Sequence, residues 1–146
     1  MKIIPAEVKH AEYIGSELAN FFSQANIHFG YPKYKEDYQL MYKHVTKRLK
    51  QSDPSSFYFV QIEDDKELGF VNLMIDENRI GNINIIIGES DEIIKSLFDY
   101  AIEFFKNSKI EKVQIEVLPN EKILETFMKN LNSEIVLKRY KITLVE

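Results

Sequence analysis

Between residues 56 and 87 three apolar runs, "SFYFVQIE", "ELGFVNLMID" and "RIGNINIII", follow one another with only "DDK" and "EN" between them. Strands joined by such short breaks have no room for a parallel crossover, which needs about a dozen residues or more. The three runs therefore read as antiparallel hairpins, although neither break is the favoured Asn-Gly or Asp-Gly pair. The next strand-like run, "IEKVQIEVLP", comes only after "SDEIIKSLFDYAIEFFKNSK". There Ile93, Ile94, Leu97, Ala101, Phe104 and Phe105 recur at helical spacing, and Ser90 or Asp91 can cap the helix. Strand, helix, strand is the connection that sets two parallel strands in one sheet. The expected sheet is mixed: antiparallel over most of its width, with one parallel seam.

The remaining segments fit around that sheet. "MKIIPA" reads as a short strand ended by Pro5, and "EVKHAEYIGSELANFF" as a helix with its apolar face on Val8, Ala11, Ile14 and Leu18. "QANIHFGYPKY" reads as a break marked by Gly30 and Pro32. "KEDYQLMYKHVTKRLK" reads as a second helix, its Lys47, Arg48 and Lys50 suited to the negative end of the dipole. "NEKILETFMKNLN" is expected to be a short helix and "SEIVLKRYKITLV" a final strand. The order β-α-α-β-β-β-α-β-α-β predicts one α+β domain over residues 1–146.

Charge and composition narrow the function. The 23 acidic and 19 basic residues leave a net charge of −4, which argues against a nucleic-acid partner. With no cysteine there is no disulfide, thiolate metal site or thiol nucleophile. His10, His28 and His44 show no metal-ligand spacing, so no metal is expected. The N-terminal residues lack the long apolar stretch of a signal peptide or membrane span, so the expected setting is the cytoplasm, without membrane association.

This order of elements resembles the GNAT superfamily of N-acetyltransferases over essentially the whole chain. "FYFVQIEDDKELGFVNLMID" is similar to that family's central hairpin, whose second strand opens with a Gly after a charged turn. "KIEKVQIEVLPNEKILETFMKNLNSEIV" is similar to its later strand, Asn-opened helix and return strand, with Asn120 matching that Asn. Asn132 falls near the family's helix-terminating Gly, where Asn is the next-best residue for the left-handed conformation. The resemblance implies acetyl-CoA or CoA between two splayed parallel strands, with the pyrophosphate on a Gly-rich turn at a helix N-terminus. On this chain it assigns cofactor binding to Ile87, Gly88, Glu89, Ser90 and Asn120.

The sequence also departs from that pattern. "GESDE" keeps one glycine, Gly88, with no Arg or Gln beside it, and the segment from Ile87 to Ile93 is too short for the Gly-rich turn. Glu89, Asp91 and Glu92 bring carboxylates where an anion would sit; they favour the helix dipole and oppose a diphosphate. Lys95, one turn in, is a nearby cation. The family's usual tyrosine acid corresponds to Phe127, which has no proton to give. Thr126 and Tyr140 are the neighbouring hydroxyls and the weak catalytic candidates. Asn82 and Asn84 stand where a carboxylate base is often found and read as facing the polar side, and Glu116 reads as facing solvent.

The second helix offers another signal. Tyr31, Tyr34, Tyr38 and Tyr42 lie three or four apart and share one face if the helix starts early enough. Because the family's first two helices border the acceptor site, Tyr31, Tyr34 and Tyr38 are expected to bind substrate, or to form a core or subunit contact. "LKRYK" reads as a solvated strand edge, open also to CoA phosphates. The residues after Asn132 leave room for one long strand, and its edge would suit a second subunit in a homodimer. Two functions follow: an acyl-CoA-dependent N-acyltransferase for a small-molecule or peptide amine, or a GNAT-fold binding or regulatory module without CoA.

Overall fold

The computed structural model describes residues 1–29, 32–51, 53–138, 140 and 142–144, and of residues 26–29 the backbone alone. Five strands form one sheet in the spatial order β1 (Lys2–Pro5), β2 (Ser56–Glu63), β3 (Lys66–Ile75), β4 (Gly81–Gly88), β5 (Val113–Ile115). The first four are antiparallel neighbours, and β5 runs parallel to β4. The helices are α1 (Ala11–Phe29), α2 (Tyr38–Lys50), α3 (Asp91–Asn107) and α4 (Lys122–Asn130). This is the mixed α+β arrangement that the short hairpin breaks and the single crossover predict.

Local chemistry explains the joints. The β2–β3 turn places Asp64 and Asp65 at φ 50° and 62°, so two aspartates fill the type I′ geometry more often given to Asn-Gly. At the β3–β4 turn the Asp76 carboxylate accepts the N–H groups of Asn78 and Ile80 at 2.9 and 3.0 Å. The Ser90 hydroxyl accepts the Ile93 N–H at 3.3 Å and caps α3, and the Asp37 carboxylate accepts from Gln39 and Leu40 and caps α2.

Two cores lie on opposite faces of the sheet. On one, Ile93, Leu97, Phe98, Ala101 and Phe105 of α3 pack against Val71, Leu73, Ile83 and Ile86. Each fully buried Leu, Ile or Phe there contributes about 1.5–3 kcal/mol. On the other, Ala11, Ile14 and Leu18 of α1 and Met41 and Val45 of α2 pack against Val60, Ile62 and Phe70. The α1–α2 pair is held very close: a Cβ at Gly15 would stand 2.9 Å from both the Cα and the N of Tyr42.

Three segment expectations need correction. The first helix continues to Phe29, through the segment read as a break, because residues 16–29 contain neither Gly nor Pro. The second begins at Tyr38, after a 3₁₀ turn over Lys33–Glu36, because Asp37 caps it there. The final strand is not formed over 133–138, 140 and 142–144, where Ile135, Val136, Leu137, Ile142 and Leu144 are exposed. Alternation prepares a segment for a sheet, but a strand exists only once another strand pairs with it.

Candidate functional site

The seam between β4 and β5 is short. Pairing covers Gly81↔Val113, Asn82↔Gln114 and Ile83↔Ile115 and then ends. Just beyond it, β4 carries a bulge: Leu73 faces Ile83 and Asn72 faces Ile85, so Asn84 stands opposite no residue of β3. A bulge adds twist and re-aims the residue that it carries. Past this point the two strands part, and a cleft of about 630 Å³ opens between them and the α1–α2 pair.

Each wall comes from a different stretch of chain. Leu18, Phe21 and Phe22 of α1 and Leu40, Met41 and His44 of α2 form one side. Ile83, Asn84, Ile85 and Ile86 of β4 form the floor. Ile115, Glu116, Leu118, Glu121 and Leu124 form the far side. The lining is mainly apolar with a few polar groups converging on it, which is the ordinary make-up of a small-molecule site.

The polar groups fall into three sets. On the floor, the Asn84 side-chain amide donates to the Asn72 Oδ1 at 2.8 Å, and Asn72 donates to the Phe57 carbonyl at 3.0 Å. Asn72 is thereby held across three strands, and it fixes Asn84 in turn. On the far side, one oxygen of Glu121 accepts the Leu118 N–H at 2.9 Å. Burial raises the Glu121 pKa, the Leu118 N–H lowers it, and the negative charge of Glu116 raises it, with a net upward shift. On the helix side, the Lys35 Nζ lies 4.9 Å from the centre of the Phe22 ring. Burial and the charges of Arg48, Lys35 and Lys47 push the His44 pKa down, so this imidazole is mostly neutral at pH 7.

The structure gathers some of the sequence candidates and scatters others. Tyr34 lines the cleft. Tyr38 lies outside it, with its ring 6.1 Å from that of Tyr42. Since α2 starts at Tyr38, the stripe is divided, and Tyr31 lies outside the described residues. Asn84 and Glu116 are exposed, as expected for the polar side and for solvent, and both also line the cleft. Thr126 is exposed on α4 and donates to the Lys122 carbonyl at 3.0 Å, while Tyr140 is 78% exposed; neither lines the cleft. Asn120 is exposed in the turn before α4, also outside the lining. Arg139 and Lys141 of "LKRYK" lie outside the described residues.

The Ile87–Ser90 turn lies beyond the lining of the cleft. The Glu89 N–H donates to the Leu68 carbonyl at 3.0 Å, and the Glu89 carboxylate pairs with Lys66 at 3.5 Å. The Ser90 hydroxyl holds the Ile93 N–H. A Cβ on Gly88 would meet the Ile93 Cγ2 at 2.9 Å, so the glycine makes room for the packed helix. Lys95 is paired with Asp99 at 2.7 Å. With the Glu89 N–H taken and its carboxylate held beside it, the turn does not fit a diphosphate cradled on its amides. Sequence reasoning missed Glu121, His44 and Lys35 as lining residues, because a cleft assembled from separate segments leaves no local pattern.

No protein-family model matches the sequence, and no curated protein matches it either. Solved structures do. A GCN5-related N-acetyltransferase from Ralstonia eutropha superposes with a TM-score of 0.71 at 16% identity, over 97% of each chain. The PaiA N-acetyltransferase from Thermoplasma acidophilum, solved in complex with coenzyme A, gives 0.68 at 14%, over 88% of this chain and 86% of that one. A ribosomal-protein-alanine N-acetyltransferase from Brucella melitensis gives 0.65 at 15%, over 99% and 100%.

Proposed function

We propose that this chain, which has the fold of the GNAT N-acetyltransferases, transfers an acyl group from a coenzyme A thioester to an amine in the β4–β5 cleft. The observation that carries this reading is the splay itself. The strands part after Ile83 and Ile115, and the gap joins an apolar pocket with two carboxylates on its wall. A thioester, when bound, supplies an activated carbonyl. Asn84, fixed by Asn72, offers amide hydrogen-bonding groups on the floor of the gap. Glu121 and Glu116 accept the proton that an ammonium must lose before its lone pair can attack. A C–N bond then forms as the C–S bond breaks, and the remaining surplus proton leaves with the sulfur. The apolar walls of Phe21, Phe22 and Leu118 keep water from competing with the amine.

Calorimetric titration with acetyl-CoA and with CoA at low and moderate salt tests the donor. Saturable binding supports the reading; no heat and no thermal stabilisation at millimolar ligand overturns it. The second reading, a binding module without CoA, rests on the occupied Glu89 N–H and the acidic start of α3. A homodimer belongs with either reading, since β5 has no strand on its outer edge among the described residues. A monomeric mass by light scattering at micromolar concentration would count against it.

A further inference from the structure

The chemistry of the cleft narrows the acceptor. We propose that it takes a primary amine with a single cationic end and an apolar chain or ring, the ammonium held by Glu121 and the body lying against α1 and α2. This rests on the acyltransferase reading for its consequence, but the binding stands on the cleft alone.

Two features of the cleft support the assignment. Its carboxylates, Glu116 and Glu121, both lie on the far side, at the end of β5 and the start of α4. Glu121 is half-buried; one oxygen is committed to the Leu118 N–H, and Leu118 and Leu124 beside it are buried. A carboxylate so placed is complementary to a cation entering from the cleft, and an ammonium beside it would offset the cost of its burial. Facing it, Leu18, Phe21, Phe22, Leu40 and Met41 offer an apolar surface without a carboxylate. The charged side chain lining that wall is Lys35, over the Phe22 ring. A second ammonium extended toward α2 would meet no carboxylate among the lining residues of that wall, so the arrangement selects against polyamines. An apolar body meets no such penalty and buries against the aromatic wall.

The test needs no acyl donor. Binding of 2-phenylethylamine and hexylamine is measured by calorimetry and thermal shift, beside 2-phenylethanol and hexanol as uncharged counterparts and spermidine as a polycation. The amines are expected to bind about tenfold or more tightly than the alcohols, and more tightly than spermidine. Glu121→Gln keeps a carbonyl oxygen for the Leu118 N–H, and is expected to lose the amine preference without a fall in melting temperature. Glu125→Gln, on the exposed face of α4, is expected to leave binding unchanged. Equal binding of amine and alcohol, tighter binding of spermidine, full binding by Glu121→Gln, or no binding at all would each overturn the proposal. Turnover with acetyl-CoA then separates the two readings. Amine bound but never acetylated removes the acyltransferase function and keeps the site; acetylation of polyamines in preference to apolar monoamines removes the acceptor class and keeps the enzyme.

Discussion

The strands β1–β4 with α3, and the segment from β5 through α4, are built to different standards. In the first, each strand pairs along most of its length and Phe105, Leu97 and Leu73 are completely enclosed. In the second, β5 is held by three pairs to β4, and α4 rests on buried Leu124 and on the Phe127 ring 5.3 Å from Phe98. The candidate cleft runs along the boundary between the two. One half supplies a fixed floor with its Asn72–Asn84 link, and the other brings the carboxylates on a lightly anchored arm. Stability and chemistry are thus divided between neighbouring parts of one sheet, as expected where a site must open to admit its ligands.

The largest effect that separates the halves comes from their aromatic anchors. Phe105→Ala is expected to cost about 3–5 kcal/mol in denaturant unfolding. Phe127→Ala, at a partly buried ring, is expected to cost about 1–2 kcal/mol. Equal losses would erase the distinction. Native-state hydrogen exchange sharpens it further: amides of β2 and β3 should exchange only by global unfolding, those of β5 and α4 at a free energy lower by about 2 kcal/mol. Smaller still is Ser90→Ala, which removes the cap of α3 in the well-packed half and should lower stability by about 1 kcal/mol.

The smallest effect is a pH dependence located in the lightly built half. Burial, with the charge of Glu116, raises the folded-state pKa of Glu121 above its unfolded value. Between those two values the folded chain holds more protons than the unfolded one, so stability falls as pH rises through that window. Glu121→Gln removes this dependence. The difference in melting temperature between variant and wild type should grow in the variant's favour from acid toward neutral pH, and a constant difference would contradict the assignment.

The well-packed half was also the legible one. Its hairpins follow from the short breaks at Asp64-Asp65 and Glu77-Asn78, and α3 from the spacing of Ile93 to Phe105 with Ser90 ahead of it. These are local signals. The site depends on register and on distant segments, which local patterns do not carry. Asn84 is exposed, as alternation predicts, but the bulge that sets it at the cleft exists only relative to β3. Glu116 is exposed, as its pattern predicts, but its place beside the cleft depends on a strand that ran shorter than its apolar run. The tyrosine spacing was real, but Asp37 started the helix too late for Tyr34 to share it. Glu121 left one faint local sign, a carboxylate three residues after Leu118 and able to reach back to its N–H.

Gly15 sets which side of this cleft can yield. With no Cβ between them, α1 and α2 meet backbone to backbone at Tyr42, and neither can slide past the other without a steric collision. The pair is therefore the fixed side of the cleft, carrying Phe21, Phe22 and Met41. The β5–α4 segment, bonded to β4 only as far as Ile83 and Ile115, is the less tightly held side. Any widening for a bulky guest would fall to that segment, and Glu116 and Glu121 would move with it.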